Sequence, residues 1–151
     1  MDELVGWLRA QLDEDERVAR AAADELEGPE LGGEWRYDGQ YVETARERTM
    51  VAVGSQDLME PGCGEHIARH DPARVLREID AKRQLLDDYE TTARIRDEAA
   101  ARIKAAGDHP DPKDLDTWDR AQREAAIFEG PVKLAASPSS DRPGYREEWR
   151  P

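Results

Sequence analysis

The sequence has few of the features on which disulfide-bonded, membrane or secreted proteins depend. It contains one cysteine, which excludes an intrachain disulfide. No apolar run approaches the roughly 18 residues of a membrane-spanning helix. The chain opens on an acidic amphipathic segment rather than on a basic and then apolar secretory leader. These absences predict a cytoplasmic protein that makes no membrane contact.

The chain also has too little positive charge to bind nucleic acid directly. Its 22 lysines and arginines are outnumbered by 35 aspartates and glutamates, which gives a net charge of −13. Binding to a phosphate backbone requires a basic patch, and no segment supplies one. The acidic surplus favours solubility. Alternatively, it mimics nucleic acid and so inhibits a basic, nucleic-acid-binding host protein.

No catalytic constellation is evident. The carboxylates are numerous but scattered, as on solvated helix faces. No dinucleotide fingerprint or phosphate-binding glycine loop is present, and Gly32-Gly33 is too short to serve as one. These observations favour a protein that is not an enzyme and that needs no cofactor.

What the sequence does contain is a regular spacing of apolar residues. The 151 residues suit one domain with a modest core, to which four tryptophans and four tyrosines contribute. Apolar positions recur every three to four residues near the N-terminus, which predicts a helix that Gly28-Pro29 ends. Residues 34–53 are rich in strand formers around the turn signal Asp38-Gly39, which predicts a hairpin or a three-stranded antiparallel sheet.

A long central helix is expected over 72–106. Asp71-Pro72 combines an N-cap with a proline at the first helical position. The helical pattern then runs without glycine or proline to a stop at Gly107. Thirty-five helical residues span roughly 50 Å, which is longer than a small single core.

That length leaves two alternatives for the second half of the chain. The helix either breaks near Thr91-Thr92 or forms an antiparallel hairpin with a helix over 112–129. Residues 137–151 are rich in proline and carry two aromatic residues. They predict an extended tail that docks or stays mobile. The fold class is therefore α+β and mainly helical, with a single domain over 1–136.

One cluster has the residue types of a metal site: Cys63, His66 and His70. Their spacing would place them on one face of a continuous helix, and two histidines four residues apart can bind a metal such as zinc. Asp71 or His109 could complete four ligands. Against this hypothesis, glycines on both sides of the cysteine place it in a loop, and there is no C-x-x-C pair. The alternative is that the histidines are packing residues beside the next helix.

The same residues could also suggest a cysteine–histidine nucleophile. Such a nucleophile would need an oxyanion hole and a substrate pocket, which the sequence does not identify.

Three separated blocks resemble a known family. They are MDELVGWLRAQLDEDERVARAAA (1–23), HIARHDPARVLREIDAKRQLLD (66–87) and RPGYREEWRP (142–151). In this order they resemble small acidic proteins of Streptomyces-type actinobacteria and their phages, grouped as a domain of unknown function. Many members carry paired cysteines after the central helix. This chain has none there, so a zinc role based on them does not carry over. The resemblance implies an actinobacterial or phage accessory protein.

The main hypothesis is a non-enzymatic protein that binds another protein or a second copy of itself. The contact residues expected for this role are Ile95 and Ile103 on the central helix and the helix that carries Trp118. A small metal-binding protein and an acidic mimic of nucleic acid are the alternatives.

Overall fold

The described residues, 1–28 and 31–151, of the computed structural model form one α-helix, then three strands, then three further α-helices. The elements are α1 (Asp2–Leu26), β1 (Trp35–Tyr37), β2 (Tyr41–Thr44), β3 (Met50–Val53), α2 (Pro61–Arg69), α3 (Pro72–Ala106) and α4 (Pro112–Ala136). This is the predicted α+β, mainly helical class, and its sheet is three-stranded and antiparallel. Gly28 adopts the left-handed conformation that follows a helix end, whereas Pro29 lies outside the described residues.

The chain divides into two units. Unit 1 combines residues 1–10 with 82–151, and unit 2 is the continuous segment 11–81. The single domain over 1–136 stays a prediction. The buried apolar side chains of unit 1 include Leu4, Leu8, Leu86, Tyr89, Val132 and Trp149, and those of unit 2 include Leu12, Ala19, Ala23, Val42, Met59 and Ile79.

In unit 2, the central strand β2 holds a buried carboxylate. Val42, Glu43 and Thr44 are each no more than 1% exposed. The Glu43 Oε1 atom accepts hydrogen bonds from Nε of Arg36 at 2.8 Å and from Nε of Arg48 at 3.0 Å. A buried charge requires such partners, because its loss of hydration is otherwise uncompensated. The two guanidiniums are therefore part of how the sheet tolerates Glu43.

Asp38 holds the turn between β1 and β2. Its Oδ1 atom accepts hydrogen bonds from the backbone N–H groups of Gln40 at 2.9 Å and Tyr41 at 3.0 Å. Gly39 follows Asp38 with a φ of +106°, a conformation that glycine adopts without steric cost. The predicted Asp38-Gly39 turn is confirmed.

The Asp38 turn should weaken on acidification. The two backbone hydrogen bonds favour the ionised carboxylate and hold the pKa of Asp38 below its ordinary value. A carboxyl group with a lowered folded-state pKa stabilises the fold above its unfolded-state pKa, and this contribution is lost as the pH falls through the folded-state pKa. In an NMR titration, the Asp38 carboxyl resonance should move at a lower pH than in a peptide spanning 35–44. The Asp38→Asn variant should lack this part of the pH dependence of stability. Coincident titration curves would contradict this prediction.

Helix α2 packs against the sheet through Gly64. A Cβ atom at Gly64 would lie 2.3 Å from Cδ2 of Tyr37. The Tyr37 hydroxyl oxygen lies 2.8 Å from the carbonyl oxygen of Gly39 and 2.9 Å from that of Met59, and donating its one proton to either of them holds the ring in place. A side chain at position 64 would have to displace this ring, so the contact requires glycine.

We expect Gly64→Ala to lower the free energy of unfolding by about 1–3 kcal/mol, because overpacking displaces neighbouring groups. Gly62→Ala is the matched control in the same helix, since a Cβ atom at Gly62 meets no atom within 4 Å. The control should be neutral or stabilising by up to about 1 kcal/mol. Urea denaturation followed by circular dichroism measures both values. Equal effects at the two positions would show that Tyr37 does not constrain position 64.

Helix α3 begins and ends at the predicted residues, Pro72 and Ala106. The Asp71 Oδ1 atom accepts a hydrogen bond from the backbone N–H of Arg74 at 2.7 Å, which is the expected N-cap. Gly107 has a φ of +59°, as expected for a residue that ends a helix. Cap chemistry at both ends thus sets the length of this helix.

In unit 1, α4 and the second part of α3 form an antiparallel helical hairpin. Arg102 Nε contacts Asp114 Oδ1 at 2.7 Å near the connection. The Asp111 side chain caps α4 by accepting a hydrogen bond from the backbone N–H of Lys113 at 2.8 Å. Helix α3 is continuous through Thr91, so the hairpin alternative is confirmed and the break is wrong.

Helix α4 runs to Ala136, whereas the sequence predicted its end at 129. It passes through Pro131, which lacks the N–H group of a normal helical residue. Val132 and Ala136 have no exposed surface. Burial on the C-terminal side of the proline therefore outweighs the lost hydrogen bond.

The C-terminal segment docks within unit 1. Trp149 is 8% exposed, and its ring centre lies 5.6 Å from that of Trp7 and 5.8 Å from that of Tyr145. The Trp7 Nε1 atom donates a hydrogen bond to the carbonyl oxygen of Pro143 at 3.0 Å. Between docking and mobility, the structure shows docking, with short 3₁₀ turns at Ser137–Ser139 and Glu147–Trp149 in place of a fully extended chain.

Candidate functional site

The predicted metal residues lie on or next to α2, in unit 2. Cys63, His66 and His70 are all exposed. The imidazole rings of His66 and His70 have centres 4.2 Å apart and are tilted by 35°. Nδ1 of His70 lies 2.8 Å from the carbonyl oxygen of His66. Because a carbonyl only accepts, Nδ1 of His70 is the donor of this hydrogen bond, and Nε2 is the ring nitrogen left for another partner.

Cys63 lies inside α2, so its assignment to a loop is wrong. Pro61 starts the helix at the first helical position, where proline is well tolerated. Gly64, which suggested a loop, instead provides the close contact with Tyr37. Asp71 is occupied as the cap of α3.

Within the described residues, no group of three or more histidine, cysteine, aspartate or glutamate side chains could hold a metal ion. The structure brings together the histidine pair, and a three-ligand site remains a hypothesis.

Helix α4 carries a second candidate site on its solvent face. Its buried face consists of Ala121, Ala125, Val132 and Ala136. Ile127 is 71% exposed and Leu134 is 59% exposed. Gly130 and Pro131, between them, are also exposed. Positions i, i+3, i+4 and i+7 share one helix face. We call these four residues the outer stripe.

A groove of about 470 Å³ lies between α3 and α4 and shares Ile127 with the outer stripe. Its described lining consists of Asp88, Thr91, Thr92, Glu124, Ile127 and Phe128. We call it the α3–α4 groove. Apolar groups line most of it, and its two charged residues are both acidic. It can therefore accept an apolar side chain together with a positive charge.

A second groove of about 580 Å³, lined by residues of α1 and α3, lies within unit 1. Its carboxylates are largely neutralised by neighbouring cations. Arg9 Nη2 contacts Glu90 Oε2 at 2.5 Å, and Arg94 Nη1 contacts Glu98 Oε1 at 3.1 Å. Burial raises the pKa of the Tyr89 hydroxyl that lines this groove. This second groove offers less unpaired charge than the α3–α4 groove.

Three contact residues were predicted from the sequence, and none of them belongs to the outer stripe or to the described lining of the α3–α4 groove. Ile95 and Trp118 are each 38% exposed, whereas Ile103 is half-buried. Leu134 was missed because the predicted helix ended at 129, whereas Ile127 lies within that predicted helix and was not singled out. The signal that could have found them is the pair of large apolar residues seven positions apart on either side of Gly130-Pro131.

Over residues 1–151 the chain matches a family described as a family of unknown function (DUF6221). The chain belongs to the DUF6221 family. No curated protein and no solved structure matches this DUF6221 chain. Among its described helices, none combines the length and apolar character needed to cross a membrane.

Proposed function

We propose that this DUF6221 chain is a non-enzymatic accessory protein of actinobacterial or phage origin that binds another protein through the outer stripe. The observation that carries the proposal is the exposure of Ile127 and Leu134 in one row on a regular helix. Isolated exposed apolar residues are ordinary, whereas contiguous apolar patches mark interaction surfaces. Full burial of each side chain by a partner would contribute about 1.5–3 kcal/mol before the costs of association.

The spacing of the outer stripe suits recognition by a helix. Anchors at i, i+3, i+4 and i+7 are the contact pattern of an amphipathic helix lying in a groove. Gly130 lets a partner approach the backbone closely, since it has no side chain. Pro131 has no N–H group, so the carbonyl oxygen of Ile127 receives no i+4 hydrogen bond and can accept one from a partner.

The test is affinity capture from an actinobacterial lysate with the full chain as bait. The Ile127→Glu/Leu134→Glu variant places charges in the outer stripe. Leu58→Glu is the matched control, since Leu58 is 55% exposed and lies in unit 2. We expect a protein that the wild type and the control retain and the stripe variant loses, while circular dichroism shows all three folded. Retention by the stripe variant, or capture of nothing, would overturn the proposal.

A second function, zinc binding, is favoured by the hydrogen bond at His70. Metal-bound histidines typically donate their other ring N–H to a carbonyl or carboxylate, as Nδ1 of His70 does. His66 lies one turn away and would supply the second nitrogen ligand. We expect the untagged protein to bind zinc in calorimetry and His66→Ala/His70→Ala to lose that binding. Cys63→Ser then decides whether the thiol is a third ligand. Equal zinc uptake by the wild type and the double-histidine variant would exclude the site.

A further inference from the structure

We infer that the partner segment held by the α3–α4 groove and the outer stripe is a basic amphipathic helix. This inference rests on the proposed function and specifies the chemistry of the partner. The juxtaposition that supports it is an apolar row, Ile127 to Leu134, beside the carboxylates of Asp88 and Glu124.

No cation among residues 1–28 and 31–151 neutralises the two carboxylates of the groove. Asp88 Oδ1 accepts a hydrogen bond from the amide of Gln84 at 3.0 Å, which is an uncharged partner. Neither Asp88 nor Glu124 forms an ion pair with the described residues. In the second groove, by contrast, Arg9 and Arg94 each form an ion pair with a glutamate that lines the groove. The α3–α4 groove therefore presents negative charge that an incoming cation can neutralise.

The dimensions suit a short helix. The seven residue-to-residue steps from Ile127 to Leu134 rise about 10 Å along α4, which is about two helical turns. A partner helix of three to four turns can place two or three apolar residues on the outer stripe. A lysine or arginine on its flank would lay its aliphatic stem against Phe128 and Thr91 and reach the carboxylates with its charged end.

Charge also argues against a second copy of the chain as the occupant. Each chain carries −13, so two copies would bring like charges together at the same groove. Such repulsion opposes association, whereas opposite charges speed encounter and fix the register.

The experiment is an NMR titration of the ¹⁵N-labelled full chain with three synthetic helical peptides of about 16 residues. All three carry the same row of leucines, and their flanks carry lysine, glutamine or glutamate. We expect the lysine peptide to shift the amide signals of Thr91, Glu124 and Ile127 and to bind about tenfold more tightly than the glutamine peptide. Raising the ionic strength from about 0.05 M to about 0.5 M should weaken this binding several-fold.

Two variants of equal net charge separate the groove from general attraction to an acidic protein. Asp88→Lys/Glu124→Lys and Asp24→Lys/Glu25→Lys each change the charge from −13 by +4 to −9. Asp24 and Glu25 are exposed residues of unit 2. We expect the groove variant to lose the preference for the lysine peptide and the control to keep it. Equal losses in both variants would overturn the inference.

The remaining outcomes distinguish the two proposals. If the glutamine or glutamate peptide binds the outer stripe as tightly as the lysine peptide, the inference fails while the proposed function stands. Ile127-dependent dimerisation in analytical ultracentrifugation would also overturn the inference, since it would make a second copy the occupant. If no peptide binds, the inference fails. If the stripe variant also retains every captured protein, the proposed function fails with it.

Discussion

Replacing Trp149 with alanine is expected to lower the free energy of unfolding by about 3–5 kcal/mol. Trp149 is 8% exposed and packs against the rings of Trp7 and Tyr145. The guanidinium carbon of Arg146 lies 5.2 Å from the centre of its ring, and Arg146 Nη1 contacts Glu3 Oε2 at 2.6 Å. Truncation removes this apolar area and leaves a cavity that three neighbouring side chains cannot fill.

Trp118→Ala is the matched control for Trp149→Ala. Trp118 is the same residue type in the same unit, but it is 38% exposed. Its loss should cost about 1–2 kcal/mol, since less apolar surface is removed from contact. Urea denaturation followed by circular dichroism gives both values. If Trp149→Ala costs no more than Trp118→Ala, burial of Trp149 adds nothing beyond what a partly exposed tryptophan contributes, and the expected large effect of docking is wrong.

The second large effect is expected at the buried carboxylate of β2. Replacing Arg36 and Arg48 together with methionine leaves Glu43, which is 1% exposed, without a cation. We expect a loss of about 2–4 kcal/mol. This is less than for a fully buried pair, because both guanidiniums reach solvent. Methionine keeps the apolar stem of each arginine, so the change reports mainly on charge.

The carboxylate itself supplies the control. Adding Glu43→Gln to the Arg36→Met/Arg48→Met variant removes the unpaired charge, so most of the lost stability should return. Each single arginine variant should cost less than half of the double variant, because one cation remains beside Glu43. Equilibrium urea unfolding of the wild type and these four variants completes the comparison. Simple additivity of the arginine effects with no rescue by glutamine would show that Glu43 does not need its partners.

The sequence was most informative where local chemistry sets the structure. The cap at Asp71, the stop at Gly107 and the turn at Asp38 each depend on one side chain or one backbone conformation within a few residues. Such signals do not depend on the rest of the fold. They therefore predicted the bounds of α3 and the β1–β2 turn correctly.

Prediction failed where burial overrides local preference. Pro131 favours a helix end, yet α4 continues because Val132 and Ala136 are buried beyond it. Cys63 follows a glycine and precedes another, yet it is helical because Gly64 packs on the sheet. These outcomes depend on contacts between residues that are distant in the sequence.

The two candidate sites also differ in whether local sequence or burial determines them. The spacing of four residues was enough to place His66 and His70 side by side. The outer stripe could not be found so directly, since the buried face of a helix depends on its neighbours. Ile127 and Phe128 are consecutive, yet Ile127 is exposed and Phe128 is half-buried. A rotation of about 100° per residue separates the two environments.

Unit 1 is built from two separate segments of the sequence, and this affects the order in which its parts can fold during synthesis. Unit 2 is one continuous segment, so a ribosome releases all of it before most of unit 1 exists. Synthesis adds about 5–20 residues per second, and units can fold as they emerge. The Trp7 indole cannot form its hydrogen bond until Pro143, which lies 136 positions later in the sequence, has been synthesised. The first turns of α1 are therefore synthesised before unit 2 and are among the last segments to find their native neighbours.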